Sequence, residues 1–357
     1  MIIFYFILSL CVFYVIQVVS RKISSPFWCK QPIDTFHFSY LTPFKRLFIK
    51  KTPFQTLTEN YDTIHNCIPL YDVKEIDISL ISKPYIECLN HNYVEQDGWT
   101  YNINHKVIQD CYSKLICSND GGFVSSPLQF FENGHQHRFW SVDMFCIHPY
   151  SRGKRKAPQF ISSFVSQMFK YGYKQFIFKL EYKPLKYISP HIEYNSCLYD
   201  TYKWDKYRSS ESLLIEDPKD IYHLLYCPEY VDYLCIPSFD ILYSWIQHKC
   251  VFLIKYKSSL FIFRDEYVQY CKKRVLNFIG CIHITRREME YSLNDLNYVL
   301  STIPVKFRYL WIEPFSNSFQ DIVNKVHKPI KIVPMYYYFY NTWIPTKINP
   351  KHSFIII

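Results

Sequence analysis

Residues Ser141–Ile161, SVDMFCIHPYSRGKRKAPQFI, constrain the fold of this 357-residue chain more than any other stretch. An apolar, β-leaning run from Val142 to Ile147 gives way to a basic turn containing Gly153, and then to a helical pattern. Strand, turn and helix in that order gather backbone N–H groups and cations at a helix N-terminus, which is how proteins seat phosphate. A basic loop alone is ordinary solvated surface. The strand before Arg152 and the Ala157-Pro158 pair after it are what point to an anion seat in an α/β protein.

The charge balance agrees with that reading. Lys and Arg total 41 against 31 Asp and Glu, a formal +10, which favours phosphate-rich or otherwise anionic partners. No RNP-like motif, zinc finger or long basic tract is present, so nucleic acid is disfavoured. The 13 cysteines are scattered, odd in number and without a C-x-x-C pair, so zinc-ribbon and thioredoxin readings find no support and no metal is expected. Reduced thiols in a cytosol-facing protein are the simple expectation.

The chain opens with MIIFYFILSLCVFYVIQVV, almost uncharged and apolar, followed by Ser20. About 20 apolar residues suffice to cross a bilayer. A signal peptide is the competing reading, but the run has no charged segment before it and no A-x-A-like cleavage site after it. Residues 1–20 are therefore expected to be a single transmembrane anchor. Arg21 and Lys22 follow it, which keeps the bulk of the chain cytosolic.

Residues 21–60 read as an irregular arm around a folded body. The pattern then sharpens: a short strand and an amphipathic helix carrying Ile78, Ile81, Tyr85, Cys88 and Leu89, and two strands within 122–147 around the turn Glu132–Gly134. A helix over 156–171 and a strand over 173–182 follow. From Leu213 a related pattern returns. Glu216-Asp217-Pro218-Lys219-Asp220-Ile221 resembles Tyr71-Asp72-Val73-Lys74-Glu75-Ile76, each opening an apolar helix. Then come a helix with Ser238 at its N-cap and the strand-like runs CVFLIKY, SLFIFRD and VLNFIGCIHIT. The chain thus divides into two similar α/β halves, 61–205 and 206–357.

The central segment resembles that of the N-myristoyltransferases, whose strand ends F-L-C-V-H before an R-x-K-R-x-A-P turn. The matching residues are Met144, Phe145, Cys146, Ile147 and His148, then Arg152, Lys154, Arg155, Ala157 and Pro158. Three further stretches are similar. Ser25–Ile33, SPFWCKQPI, looks like the family arm Y-x-F-W-x-T-Q-P-V; Asn90–Glu95, NHNYVE, looks like N-E-N-Y-V-E; and Tyr337–Asn341, YYFYN, looks like Y-Y-L-Y-N. The resemblance spans most of residues 24–357. It implies two fused halves of the GNAT acyltransferase fold, with acyl-CoA bound in the first half and a protein's N-terminal glycine as acceptor.

The resemblance also assigns roles. Myristoyl-CoA would lie against Pro26, Phe27, Trp28, Val94 and Ile147, with its phosphates held by Arg152, Gly153, Lys154, Arg155, Lys156, Ala157 and Pro158. Backbone amides of Met144 and Phe145 would receive the thioester oxyanion. Asp97, Tyr101, Asp143 and Lys179 fall at acceptor-binding positions. The base would be the α-carboxylate of Ile357, carried inward by the tail Phe354-Ile355-Ile356-Ile357, since an apolar chain end implies burial. His148 is expected to be structural.

Three departures concern the acceptor side. Asp143 replaces a family asparagine, and Lys179 replaces the threonine of a Y-T-A-G stretch that here reads Phe178-Lys179-Leu180-Glu181. The two charges are expected to pair across adjacent strands. The family's K-F-G-x-G-D-G loop is replaced by His327–Val333, HKPIKIV. Two functions remain open on this sequence: an N-myristoyltransferase, or a catalytically inactive relative that binds at a membrane.

Overall fold

The computed structural model describes residues 70–77, 80–92, 98–132, 134–185, 190–202, 212–226, 232–283, 291–316, 319–344 and 347–356, positions 188 and 204, and scattered positions before 60. Helices α1 (Lys83–Asn92) and α2 (His105–Cys111) precede the strands that build the first half. Of the apolar positions foreseen here, Ile81, just before α1, and Tyr85, Cys88 and Leu89 within it are buried, while Ile78 lies outside the described residues. Strands β1 (Lys114–Ser118), β2 (Gly121–Ser125), β3 (Pro127–Glu132) and β4 (His135–Ile147) form an antiparallel array. The long β4 pairs first with β3 and then, from Asp143 on, with β2. Helix α3 (Lys156–Lys170) returns the chain to β5 (Phe176–Glu181), parallel to β4, and β6 (Ile192–Asp200) ends this half. The helix and strand expected over 156–171 and 173–182 are α3 and β5.

The second half repeats the plan. After β7 (Leu213–Ile215) and β8 (Tyr233–Pro237) comes helix α4 (Phe239–Gln247), with Ser238 at its N-cap position, though the serine side chain makes no capping bond. Strands β9 (Val251–Tyr256), β10 (Ser259–Arg264) and β11 (Lys273–His283) are antiparallel. Helix α5 (Leu293–Thr302) then leads to β12 (Tyr309–Ile312), parallel to β11, and β13 (Lys331–Tyr340) and β14 (Ser353–Ile355) finish the chain.

Each half thus carries an antiparallel pair, a helix and a parallel strand, but the halves trade their next strand. β13 pairs antiparallel with β5 and with β6, and β6 pairs with β12. β8 pairs with β3, so the second half also flanks the first on its other side. One sheet results, in the order β7-β9-β10-β11-β12-β6-β13-β5-β4-β3-β8-β14. Helices α3 and α5 cover it in corresponding places. On α3 the buried Phe160, Phe164 and Met168 recur every fourth residue and pack on Phe123, Phe176, Tyr338 and Tyr340. On α5 Leu296, Val299 and Leu300 pack on Phe263, Phe278 and Ile312.

The arm meets this body at its end. Phe54 is buried against Phe130, Tyr233 and Phe339, and its N–H donates to the Trp343 carbonyl at 2.8 Å. The expected anchor fares differently. Among the described residues no helix is long and apolar enough to cross a membrane. Most of residues 1–20 lies outside the described set; Tyr5, Leu8, Val12, Phe13, Val15, Ile16 and Val19 are helical and exposed.

Candidate active site

The parallel ladder of β4 and β5 runs from Trp140↔Phe176 to Val142↔Phe178 and stops there. Beyond it lies a cavity of about 430 Å³ lined by Asp143, Met144, Phe145, Cys146 and Ile147 of β4 and by Lys179, Leu180 and Glu181 of β5. A bulge in β4 accompanies this parting. Gly122 faces Cys146 and Val124 faces Asp143, so Met144 and Phe145 together oppose Phe123. Met144 takes φ +52, a left-handed conformation that a side chain rarely adopts. Gly122 fits because a Cβ there would lie 2.5 Å from the Ile116 carbonyl oxygen.

Much of the cavity wall is apolar: Phe123, Ile161, Phe164, Val165, Phe176 and Phe178 line it with Tyr340. Arg152 lines it too and starts the basic turn, its Nε donating to the Ile147 carbonyl at 3.0 Å. Gly153 (φ +76) and Arg155 (φ +59) reverse the backbone there, and α3 begins at Lys156. No capping side chain and no acidic residue occupies this N-terminus, which leaves its positive end to a ligand. Arg152, Gly153, Lys154 and Arg155 are exposed; Ala157 and Pro158 are half-buried in the first turn. Lys156 points elsewhere, to Asp120 Oδ2 at 2.9 Å and the Tyr71 hydroxyl at 3.3 Å. Those hydrogen bonds raise its pKa. Lys156 is thus engaged, and an anion at this turn would meet Arg152, Lys154, Arg155 and backbone N–H groups.

The cavity wall also carries charge, from Asp143, Lys179, Glu181 and Glu266. Asp143 does not pair with Lys179 as expected. Its Oδ2 meets Arg264 Nη2 at 3.1 Å and accepts from the Tyr112 hydroxyl at 2.9 Å, while its Oδ1 accepts from the Met144 N–H at 2.7 Å. The reason is the parting of β4 and β5: Asp143 and Lys179 are the first residues past the last ladder pair. Burial raises the Asp143 pKa, but Arg264 and Lys179, with the two hydrogen bonds, outweigh it and hold the carboxyl below its usual range. Lys179 Nζ lies 4.0 Å from Glu313 Oε1. Burial opposes its charge, yet Glu266, Tyr337, Glu313 and Glu181 hold its pKa well above the ordinary lysine value. Glu181 is pushed up to about 7, by burial first and then by Glu266, Glu313 and Asp143, with Lys179 working against them.

A second cavity of about 30 Å³ adjoins, sharing Tyr101, Lys179, Glu181, Tyr182 and Glu266 with the first. The short strands Trp99–Tyr101 and Val268–Tyr270 pair beside it. Sequence reasoning found Tyr101, Asp143 and Lys179 but missed Arg264, Glu266 and Glu313. The one signal for Arg264 and Glu266 was the charged Arg264-Asp265-Glu266 step ending an apolar run.

Two residues of the tail, Ile355 and Ile356, are buried as expected. β14 runs parallel to β8, Ile356 N–H donates to the Cys235 carbonyl at 2.8 Å, and Ile355 and Ile356 are sealed from solvent. β8 is antiparallel to β3, and β3 to β4, so the tail runs in the direction of β4. Ile357 lies outside the described residues, as do Pro26, Trp28, Val94 and Asp97. Phe27 is a half-buried turn residue. Of the expected site, the structure brings together Tyr101, Asp143, Met144, Phe145, Ile147, Arg152 and Lys179 around one cavity.

No known family model and no curated protein sequence matches this chain. Solved structures do. The N-myristoyltransferase of Saccharomyces cerevisiae with bound myristoyl-CoA superposes with a TM-score of 0.67 at 12% identity, covering 94% of this chain and 99% of that one. A second structure of that enzyme, with bound myristoyl-CoA and inhibitors, gives 0.66 at 10%, covering 96% and 98%. The chain has the fold of the N-myristoyltransferases.

Proposed function

We propose that this protein is an N-acyltransferase of the N-myristoyltransferase type, moving myristate from myristoyl-CoA to an N-terminal glycine. One observation carries the reading: a cavity with a largely apolar wall opens at the parting of β4 and β5 beside the basic turn. The acyl chain would enter among Phe123, Phe164 and Phe176, and the CoA phosphates would meet Arg152, Lys154, Arg155 and the N-terminus of α3. The Phe145 amide would stabilise the oxyanion as the amine attacks the thioester carbon and the C–S bond breaks. The resemblance offers the Ile357 α-carboxylate as base, and the tail runs in the same direction as β4, whose end lines the cavity. Residues 1–20 would hold the enzyme to a membrane, with Arg21 and Lys22 on the cytosolic side.

One observation favours the inactive relative. The Met144 N–H, an expected oxyanion donor, already donates to Asp143, which Arg264 and Tyr112 hold in place. Calorimetric titration of the full chain with a non-hydrolysable myristoyl-CoA analogue tests the seat. Tight binding that Arg155→Glu weakens supports it, after which CoA release with N-terminal glycine peptides separates enzyme from binder. A folded chain that binds no analogue refutes both the seat and the transferase.

A further inference from the structure

We propose that Glu181 takes the proton of the acceptor amine, in a seat completed by Trp99, Trp311 and Asn277 of the small cavity. The inference rests on the reading of this protein as an acyltransferase to amines. It departs from the expected base, the chain terminus.

Glu181 closes β5 where the two cavities meet, so a group there faces the acyl cavity on one side and the small cavity on the other. The neighbouring acids are already engaged. Asp143 is held by Arg264 and Tyr112, Glu266 by Arg264 Nη1 at 3.2 Å, and Glu313 by the Tyr194 hydroxyl at 2.6 Å and Asn277 Nδ2 at 2.9 Å. Among the described residues the Glu181 carboxylate has no hydrogen bond or ion pair, and it is only half-buried. Its lone pairs are open to a ligand.

The walls of the small cavity supply an independent sign. Trp99 Nε1, Trp311 Nε1 and Asn277 Oδ1 are buried and have no hydrogen-bond partner among the described residues. Such groups are rare in a folded protein and expensive to leave unmet. The bond from Asn277 Nδ2 to Glu313 fixes the amide, so Oδ1 is its open acceptor. The two indole rings stand 4.8 Å apart. Two N–H donors, one amide oxygen and one carboxylate fit an ammonium with a carbonyl beside it, as in an α-amino amide. The ammonium donates to Glu181 and Asn277 Oδ1, and the carbonyl accepts from the indoles. A volume of about 30 Å³ suits such a head group and excludes a long chain.

The chemistry balances. One ammonium proton passes to Glu181, and the neutral amine forms the N–C bond as the C–S bond breaks. The second proton leaves the nitrogen with the CoA thiolate, giving amide and free thiol. A carboxylate held near neutrality by burial and by Glu266, Glu313 and Asp143, against the pull of Lys179, is matched to that transfer.

The test uses the full chain and glycinamide, with N-acetylglycinamide as the control that lacks an ammonium. Glycinamide is expected to bind and the control not to, and Glu181→Gln is expected to weaken binding at least about tenfold. Binding that Glu181→Gln leaves unchanged, or that the control shares, overturns the seat. CoA release from an acyl-CoA with glycinamide tests the base: Glu181→Gln should lose about 100-fold or more in kcat while acyl-CoA affinity holds. Glu181→Asp should recover part of that loss with a shifted acid limb. A Glu181→Gln protein with parental kcat and pH profile overturns the role. If the parent binds glycinamide in its Glu181-dependent way but releases no CoA, the acyltransferase reading falls while the amine seat stands.

Discussion

Asp143 and Glu181 lie on neighbouring strands at one cavity, and their surroundings push them opposite ways. The Asp143 pKa is lowered, so its ion pair with Arg264 is intact above the unfolded value of about 3.9 and lost as pH falls through the lower folded value. Asp143→Ala leaves a buried guanidinium with Glu266 as its remaining ion-pair partner among the described residues. Urea titration at pH 7 should show a loss of about 3 kcal/mol. Glu181 has the reverse sign. Its pKa rises from an ordinary 4.5 to about 7, so the folded state holds the proton more tightly and stability declines as pH climbs across that interval. Glu181→Gln removes the penalty. The variant should exceed its parent in stability at pH 8 by at most about 3 kcal/mol, with the gap closing by pH 4.

At the scale of elements, the bulge of β4 and the basic turn act as one device, since a few residues part the strands and then start α3. Tight packing of β2 holds the bulge in register. Gly121 has φ +138, and a Cβ there would lie 2.2 Å from the Cys146 carbonyl oxygen. Gly121→Ala should lose about 2–3 kcal/mol by thermal unfolding and weaken acyl-CoA binding with it. The turn was legible in sequence because its parts are contiguous: an apolar run, a glycine among cations, then Ala-Pro. The parting of β4 and β5 was not. It depends on where a non-local ladder ends, and no spacing along the chain records that. Hence the sequence singled out Asp143 and Lys179, which both line the cavity, yet paired them with each other where Asp143 meets Arg264. Arg264, 121 residues from Asp143, could not be foreseen as its partner.

At the scale of the molecule the two halves are one body. Sequence similarity suggested the repeated plan, and the sheet bears it out, but the strand exchange was invisible because either half alone reads as a complete unit. Trp99, Asn277 and Trp311 make the same point for the small cavity, which three distant segments assemble. The tail offers a global test. Appending one glycine after Ile357 moves the terminal carboxylate by a residue while leaving β14 intact. If Glu181 is the base, CoA release should stay within about twofold of the parent, against the loss of about 100-fold that a displaced catalytic base would produce.

The position of β13 bears on how the protein comes into being. β5 has β4 on one side and β13 on the other, and Tyr340 of β13 lines the larger cavity. On a ribosome, residues 176–181 would emerge long before residues 331–340, leaving one edge of β5 unsatisfied and the pocket without a wall. An abortive product ending between the halves would therefore carry the phosphate turn yet lack a finished pocket, and its bare strand edge would invite self-association. Ligand competence arrives only once residues 331–340 have been made and have docked on β5.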